Sequence, residues 1–512
     1  MFNLKNYTKD NIRNDILSGL VVAVALVPEA IAFSFIVGVN PIVGLYTAFI
    51  LGLVTALIGG KAGMISGATG AVAVVLVGVV TEATTSLSNL NLSQEDLAIA
   101  ILQYITLTAI LAGTIQIIFG LLKFGKFIRL VPLPAIYGFV NGLAIVIAMA
   151  QFKFFEGQNF MIYIIVAITM LIMYFLPKYT KAVPAGLTAI ILITLIVYIF
   201  GVDTLLIGDL ANLNEFKGKL PEFSVPTTIF SWDAIVLVAP YAVIVALVGL
   251  IESLLTLAVL DEMSGSRGSG NKECIAQGVG NISCGFFGAM PGCAMIGQSI
   301  INFTSGGLGR LSSITASVGL MALVATFTDL LNIIPVGVLV GIMFMVSIGT
   351  FEWSSFGHLK KMPKSDAFVM VMVTIVTIIF DLAIAVIAGV IISALVFAWK
   401  QARIYARSKP LGKNGKLYEL EGPLFFGSVS SFNDVFDVQN DPKYVVVDFK
   451  NTRVMDSSGV EAIEKLTQKY STLGKKLTLR HLSSDCKEVL KRAKANITQE
   501  EDDPEYKVAR DY

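Results

Sequence analysis

A polytopic α-helical membrane protein with a small α/β domain at its C-terminal end is the fold class this sequence predicts. Three observations carry the prediction. The chain is 55% hydrophobic and only 15% charged, where soluble proteins carry roughly 25% charged residues, and its mean hydropathy is +0.75. Apolar runs of about 20 residues, the length that crosses about 30 Å of hydrocarbon, follow one another between residues 16 and 402. Charge is set apart from these runs, with much of it in residues 1–15 and 400–512.

Fourteen membrane segments are expected, at 16–37, 42–60, 64–82, 97–122, 131–151, 160–176, 184–201, 231–260, 272–290, 293–305, 312–332, 335–351, 367–384 and 386–402. The first is long and contains Pro28-Glu29, so it reads as a retained helix rather than a cleaved signal peptide. An even number of crossings puts both chain ends on one side, and the positive-inside rule chooses it. Loops on the terminal side carry Lys61, Lys123, Lys126, Arg129, Lys178, Lys181, Arg267, Lys272, Arg310, Lys360, Lys361 and Lys364, against Lys153, Lys217 and Lys219 opposite. The loop at 81–96 has acids and no Lys or Arg, as suits an outer loop. The expectation is a multi-pass protein of the cytoplasmic membrane. It has a cytoplasmic N-terminal stretch at 1–15, a membrane domain at 16–405, and a cytoplasmic tail.

The third and tenth segments are broken. One reads Met64-Ile65-Ser66-Gly67-Ala68-Thr69-Gly70-Ala71-Val72, the other Gly288-Ala289-Met290-Pro291-Gly292-Cys293-Ala294-Met295-Ile296-Gly297-Gln298-Ser299. A matched pair of Gly/Pro-interrupted segments points to a binding site at the bilayer midplane. Each break is expected to place a helix N-terminus there, following Thr69 in one half and Met295 in the other. The free N–H groups and positive dipole ends favour an anion. Traces of an internal repeat agree. Val24–Val27 recurs as Val245–Val248, and Gly67-Ala68 as Gly288-Ala289, both at an offset of 221. Pro132…Gly138 resembles Pro335…Gly341 in spacing. Seven segments per half start the second half on the opposite side of the membrane, which makes the repeat inverted.

From about Lys416 the pattern changes, and a domain at 416–512 is expected. Tyr444–Phe449 and Lys476–Arg480 read as strands. Gly459–Tyr470, with Val460, Ile463 and Leu466 at helical spacing, and Asp485–Ala495 read as helices. Alternating strands and helices make a small α/β domain. The last dozen residues are rich in Glu and Asp and read as frayed.

Several classes are excluded. The four cysteines show no CxxC spacing, so neither a disulfide framework nor a zinc site is expected. The two histidines, His358 and His481, lie in loop and tail and argue against His-based catalysis. A net charge of +1 gives no reason to expect nucleic acid. No GxxxxGK[ST] loop is present, which speaks against direct ATP drive. No enzyme activity and no resident cofactor are expected.

Three stretches carry a family likeness. The first is Val27-Pro28-Glu29-Ala30-Ile31-Ala32-Phe33 followed by Gly38-Val39-Asn40-Pro41-Ile42-Val43-Gly44-Leu45-Tyr46. The second is the break at Gly67-Ala68-Thr69-Gly70. The third is Gly249-Leu250-Ile251-Glu252-Ser253-Leu254-Leu255-Thr256, with Asn271-Lys272-Glu273 and Gln277-Gly278-Val279-Gly280-Asn281 beyond it. Together they resemble the SulP family of anion permeases, whose animal relatives include pendrin and prestin. The tail, through Val454-Met455-Asp456-Ser457-Ser458-Gly459, resembles a STAS domain, the fold of anti-sigma-factor antagonists. The resemblance spans about residues 12 to 495. It implies seven plus seven inverted segments forming a core and a gate. The substrate then lies between the facing N-termini of segments 3 and 10, with segments 1 and 8 as walls. The implied function is secondary active transport of an inorganic oxyanion of the sulfate or bicarbonate class, coupled to H+ or Na+, by alternating access. Alternatives are an exchanger or channel-like anion pathway, dicarboxylate uptake, and a membrane sensor signalling through its tail. Expected partners are a small anion, membrane lipid and a second copy of the chain as a homodimer.

Glu252 lies inside an apolar helix, where a charge costs roughly 2.5–3.5 kcal/mol on insertion scales and marks a functional group by default. In the cyanobacterial bicarbonate permeases of the family an Asp here and a Thr one turn later help bind sodium. Glu252 and Thr256 match that pair, at a spacing that lets both oxygens face one cavity, and are the expected ion-coupling residues and Na+ ligands. The sodium pattern breaks at Ile296, where those permeases have Thr. Backbone carbonyls of Ala294 and Met295 remain as ligands, and a proton is an equal rival. Many animal members have Arg where this chain has Gln298, so anion attraction rests more on the helix ends. Glu29 stands where many relatives carry Gln; near an anion it must be protonated or matched by a cation. Thr69, Ser66 and Ser299 are candidate donors to an oxyanion, and Gly70 lets backbone approach it. The plainer alternatives are hydrogen-bonded carboxylates that fix packing and small residues that glue helices together. In the tail, a phosphate on Ser457 or Ser458 would sit at a helix N-terminus. The plainer reading is that one of them caps a helix beginning near Gly459.

Overall fold

The computed structural model describes residues 9–88, 93–125, 133–179, 185–210, 220–359, 361–379, 388, 391–392, 394–396, 398–399, 402–412, 414–492 and 498–499. The chain forms two compact units, Met1–Val390 and Ile391–Tyr512. The first is a polytopic helical membrane unit and the second a small α/β domain.

The membrane unit contains α1 (Lys9–Val37), α2 (Pro41–Ile58), β1 (Ser66–Gly67), α3 (Gly70–Leu87), α4 (Gln94–Leu121), α5 (Leu133–Gln151), α6 (Met161–Tyr179) and α7 (Ala185–Phe200). Its second half contains α8 (Trp232–Ser264), α9 (Gly270–Phe286), β2 (Cys293–Ala294), α10 (Ile296–Thr304), α11 (Arg310–Asn332), α12 (Val336–Thr350) and α13 (Lys364–Ile379). These thirteen helices stand where the first thirteen segments are expected. The fourteenth, at 386–402, lies largely outside the described residues, as do Lys126, Arg129, Lys181, Lys217, Lys219, Lys360 and the last dozen residues. Among the described residues, eight helical stretches are long and apolar enough to cross a membrane.

Helix starts follow capping chemistry. Asn40 accepts the Ile42 N–H at α2, Ser93 the Asp96 N–H at α4, Ser231 the Ala234 N–H at α8 and Ser269 the Lys272 N–H at α9. At the other end of α2, the Arg310 guanidinium donates to the carbonyls of Ala56 at 2.7 Å and Gly59 at 2.6 Å. A cation thereby satisfies carbonyls a helix C-terminus leaves open. α1 begins at Lys9, seven residues ahead of the expected 16, because the polar first two turns continue the helix out of the apolar run. The third and tenth segments differ most from continuous helices. Each gives its first residues to a two-residue strand, and α10 is only nine residues long.

The second unit is a four-stranded sheet in the order β3 (Tyr405–Leu411), β4 (Gly415–Glu421), β5 (Tyr444–Asn451), β6 (Lys476–Arg480). β3 and β4 form an antiparallel hairpin, and β5 and β6 add in parallel. Its helices are α14 (Val429–Asp434), α15 (Ser457–Thr472) and α16 (Ser484–Arg492). Val445, Val447, Phe449, Ile463, Leu466, Tyr470, Leu477 and Leu479 fill the core between sheet and helices. The domain begins earlier than the expected 416. β3 escapes the pattern because it is exposed almost throughout, a polar edge strand without alternation.

The turn before α15 corrects the capping expectation. The helix starts at Ser457, and its cap is Asp456, whose Oδ1 accepts the Gly459 N–H at 2.9 Å. The other carboxylate oxygen accepts the Phe426 N–H at 2.8 Å. An ionised carboxylate outcompetes a hydroxyl for these donors, which leaves Ser457 exposed on the first turn.

Candidate functional site

β1 and β2 pair antiparallel at the centre of the membrane unit, Ser66 opposite Ala294 and Gly67 opposite Cys293. Non-helical backbone at membrane depth persists only where its polar groups are satisfied within the protein, and side chains do that here. Asn281 accepts the Gly292 N–H at 2.9 Å, donates to the Gly292 carbonyl at 3.1 Å, and donates to Gln116 Oε1 at 2.9 Å. Ser253 accepts the Ala294 N–H at 3.1 Å, and Ser299 the Ile65 N–H at 3.0 Å. The Met295 N–H reaches the Ile65 carbonyl at 2.9 Å. Gln277 donates to Ser66 Oγ at 2.9 Å and to Glu273 Oε1 at 2.8 Å, while Glu273 Oε2 accepts the Gly60 N–H at 2.7 Å. Glu273, Gln277 and Asn281 recur every four residues and make one polar face of α9. The crossing needs a glycine: a Cβ on Gly292 would lie 2.1 Å from the Gly67 carbonyl oxygen.

Each strand leads within three residues into a helix N-terminus. α3 follows Thr69 (φ −130°, ψ 152°) and α10 follows Met295 (φ −106°, ψ 114°), as expected. Neither residue caps its helix with a side chain, so the first-turn N–H groups of both helices lack that partner and both positive dipole ends are bare. Gly297 in the first turn of α10 is exposed, and a Cβ there would meet nothing within 4 Å. Gly70 is different, since a Cβ would meet Ile147 at 2.7 Å and Phe33 at 3.1 Å. The open space therefore lies on the α10 side.

Two carboxylates reach this place. Glu29, half-buried on α1, accepts from Gln298 Nε2 at 2.7 Å, and Gln298 Oε1 is buried with no hydrogen-bond partner. Glu252, half-buried on α8, accepts the Cys293 S–H at Oε2 at 2.9 Å. Cys293 Sγ also lies 3.1 Å from Thr69 Oγ1. The ion pairs among the described residues include neither acid. Two acids with uncharged partners beside two positive helix ends can take up a proton or cation together with an anion.

Thr69, Gly70, Ala294, Met295, Ile296, Gln298, Glu29 and Glu252 all gather at the two helix starts. Ile296 is half-buried and Gly297 exposed, whereas Thr69, Ala294 and Met295 are buried. Ser66 is buried with its hydroxyl taken by Gln277, and Ser299 accepts the Ile65 N–H, so both hydroxyls are already engaged within the protein. Thr256 does not join the Glu252 carboxylate. It is fully buried, and its hydroxyl donates to the Glu252 backbone carbonyl at 2.8 Å, the usual back-bond of a helical Thr. Sequence reasoning passed over Cys293, Ser253, Gln277 and Asn281. The four-residue spacing on α9 was a readable signal for Gln277 and Asn281; none marked Cys293. Cavities of about 200 Å³ beside Asn159, Asp203 and Asp209 and about 660 Å³ beside Asp261, Arg267 and Asn271 contain none of these residues.

Comparison with known proteins agrees with the fold. The sulfate permease family model matches residues 12–162 and 158–374, and the STAS domain model matches 410–499. YbaR of Bacillus subtilis (strain 168), a protein whose name assigns it provisionally to sulfate transport, is 41% identical over 493 residues, 96% of this chain and 99% of that protein. The bicarbonate transporter BicA of Picosynechococcus sp. is 28% identical over 498 residues, covering 89% of this chain and 86% of its own. Among solved structures, the overall structure of SLC26A9 superposes with a TM-score of 0.82 at 17% identity over 96% of this chain and 88% of that one. The transmembrane domain of a cyanobacterial BicA gives a TM-score of 0.64 at 26% identity, over 74% of this chain and 98% of that one.

Proposed function

The chain belongs to the sulfate permease family and carries a STAS domain, and from that premise we propose that it moves an inorganic oxyanion of the sulfate or bicarbonate class across the cytoplasmic membrane, driven by protons. It is a membrane transporter, not an enzyme. The observation that carries the reading is the meeting of two helix N-termini without side-chain caps, α3 and α10, with two carboxylates that lack ionic partners among the described residues. The helix ends bind the anion through backbone N–H groups. Glu29 and Glu252 repel it while ionised, so protonation of either favours its entry, which is the condition for symport.

Alternating access then moves the strand pair and its two helices as one body, because Asn281, Ser253, Gln277 and Ser299 tie β1 and β2 into it. Lys and Arg in the loops support cytoplasmic chain ends. Sodium coupling is the second reading, favoured by the family position of Glu252. Against it stands part of the donor set: Glu252 Oε2 is engaged by the Cys293 thiol, a poor ligand for a hard cation.

The test is uptake of [35S]sulfate by the purified full chain in liposomes, with bicarbonate, chloride and dicarboxylates as competitors. Accumulation above equilibrium under an inward proton gradient, abolished by a protonophore, is the expected result. Accumulation under a sodium gradient alone supports the second reading. Purely downhill flux under both gradients contradicts coupling.

A further inference from the structure

We propose that the corner between α8 and α9 binds one zwitterionic phospholipid of the phosphatidylethanolamine type, with its phosphate at Arg267 and its ammonium at Glu262. The site does not depend on the transport reading. It is carried by a cavity of about 660 Å³ and by two charges that the fold leaves unanswered. The floor of the cavity is apolar, made by Leu254, Leu257 and Ala258 of α8, and its rim carries Asp261, Glu262 and Arg267. The α8 residues recur at three- and four-residue spacings and so share one face. At about 100° per residue, Leu254 stands about 200° around the helix from Glu252. The cavity is therefore separate from the place where α3 and α10 begin.

The two charges stand at the wrong helix ends. α8 closes at Ser264, and a helix C-terminus disfavours acids. Asp261 is answered there, by the Lys61 ammonium at 2.7 Å and the Gly268 N–H at 2.8 Å. Glu262 is exposed and has no hydrogen bond or ion pair among the described residues. Arg267 stands just before α9 opens at Gly270, a cation beside a positive dipole end, and it is equally exposed and equally without a partner among the described residues. Local charges that conflict with their helix ends are expected at functional places. One zwitterion answers both. Its ammonium meets Glu262 and the negative end of α8, and its phosphate meets Arg267 and the positive end of α9.

The apolar floor and the adjoining surface select a lipid over a soluble zwitterion. Gly125 also lines the cavity, and it follows the end of α4, where Leu121, Leu122 and Phe124 are exposed. Lys123 is exposed among them. A lysine set between exposed apolar side chains is the pattern of a membrane–water interface, where the stem lies in hydrocarbon and the ammonium in water. Acyl chains then lie along the end of α4 while the head group enters the corner. Basic pockets between membrane helices take phospholipid head groups. Glu262 adds a choice among them, because a primary ammonium donates hydrogen bonds to a carboxylate and a quaternary ammonium or a glycerol head group offers no such charged donor.

The experiment titrates the purified, delipidated full chain in detergent with dioctanoyl phosphatidylethanolamine, phosphatidylglycerol and phosphatidylcholine, and counts bound lipid by native mass spectrometry. One phosphatidylethanolamine per chain is expected, bound at least about fivefold more tightly than either of the others, the size of one head-group charge contact. Arg267→Gln is expected to weaken phosphatidylethanolamine and phosphatidylglycerol together. Glu262→Gln is expected to weaken phosphatidylethanolamine alone, so that its advantage over phosphatidylglycerol disappears. Ala258→Trp fills the floor and is expected to expel all three lipids. Soluble phosphoethanolamine at the same concentrations is expected not to bind. All three positions are exposed, where substitutions change stability little, and thermal unfolding in detergent checks that each variant is folded. Equal binding of the three lipids by wild type, or an unchanged preference in a folded Glu262→Gln or Arg267→Gln, overturns the proposal. Tight binding of phosphoethanolamine that Ala258→Trp does not disturb also overturns it, in favour of a soluble ligand.

Discussion

Gly297 and Gly70 both sit in the first turn of a helix that begins at the site, yet their surroundings predict opposite behaviour. Gly297 is exposed and a Cβ on it meets open space; Gly70 is packed against Ile147 and Phe33. Gly70→Leu is therefore expected to cost about 1–3 kcal/mol by overpacking, whereas Gly297→Leu removes a helical glycine and leaves stability unchanged or slightly higher. Thermal unfolding in detergent separates the two; equal destabilisation would mean that the space beside Gly297 is filled. From the residues alone the two glycines looked equivalent, since both open a broken segment. What sequence could say was that helices begin after Thr69 and Met295, because Gly and Pro interrupt the apolar runs just before them. It could not say which side was open, because that depends on Phe33 and Ile147 from other helices. Cys293 was illegible for a related reason: in an apolar segment a Cys reads as a small hydrophobe, and only its neighbours make it a donor.

Elements were legible in proportion to their periodicity. The long apolar helices declared themselves. β1 and β2, two residues each, carry no period and follow only from the side chains that satisfy them. The polar face of α9 was present in the spacing of Glu273, Gln277 and Asn281, and it is the element that holds the strand crossing together. In the tail, β5, β6 and α15 were readable, and β3 was not. The buried centre of that domain was also hidden, since it joins distant residues: Asp441 accepts from Lys416 at 2.7 Å, from Tyr418 at 2.9 Å and from Tyr470 at 2.5 Å. Asp441→Leu leaves two buried hydroxyls and an ammonium without their acceptor and is expected to destabilise the domain by about 3 kcal/mol, measurable by urea unfolding. Burial first, and then the hydrogen bond to Asp441, hold the Tyr470 phenol above its ordinary value of 10.0. A raised value means the folded state keeps the proton that the unfolded chain releases, so this contribution is intact below pH 10.0 and is lost as pH climbs past it. Tyr470→Phe is expected to flatten that alkaline loss; an unchanged profile would place its cause in another group.

At the scale of the whole molecule, composition gave the class and segment counting gave the membrane unit, while the register of the two halves was harder to read. The offset of 221 pairs Gly67 with Gly288, but in the strand pair Gly67 stands opposite Cys293, and the helix starts follow Thr69 and Met295. The helix starts at Gly70 and Ile296 therefore stand five residues further apart than the tetrapeptide offset. Those ends carry the central claim, that an oxyanion binds between the N-termini of α3 and α10. The most direct test is isothermal titration of sulfate and of bicarbonate into wild type and Gly297→Leu, with Leu17→Ala as a control on an exposed position of α1. A leucine side chain projecting into the open space should displace the anion while leaving the fold intact. The account predicts that the anion wild type binds is bound at least about tenfold more weakly by Gly297→Leu, a loss of about 1.4 kcal/mol or more, with Leu17→Ala unchanged. Wild-type affinity in a folded Gly297→Leu would place the anion elsewhere and contradict the account.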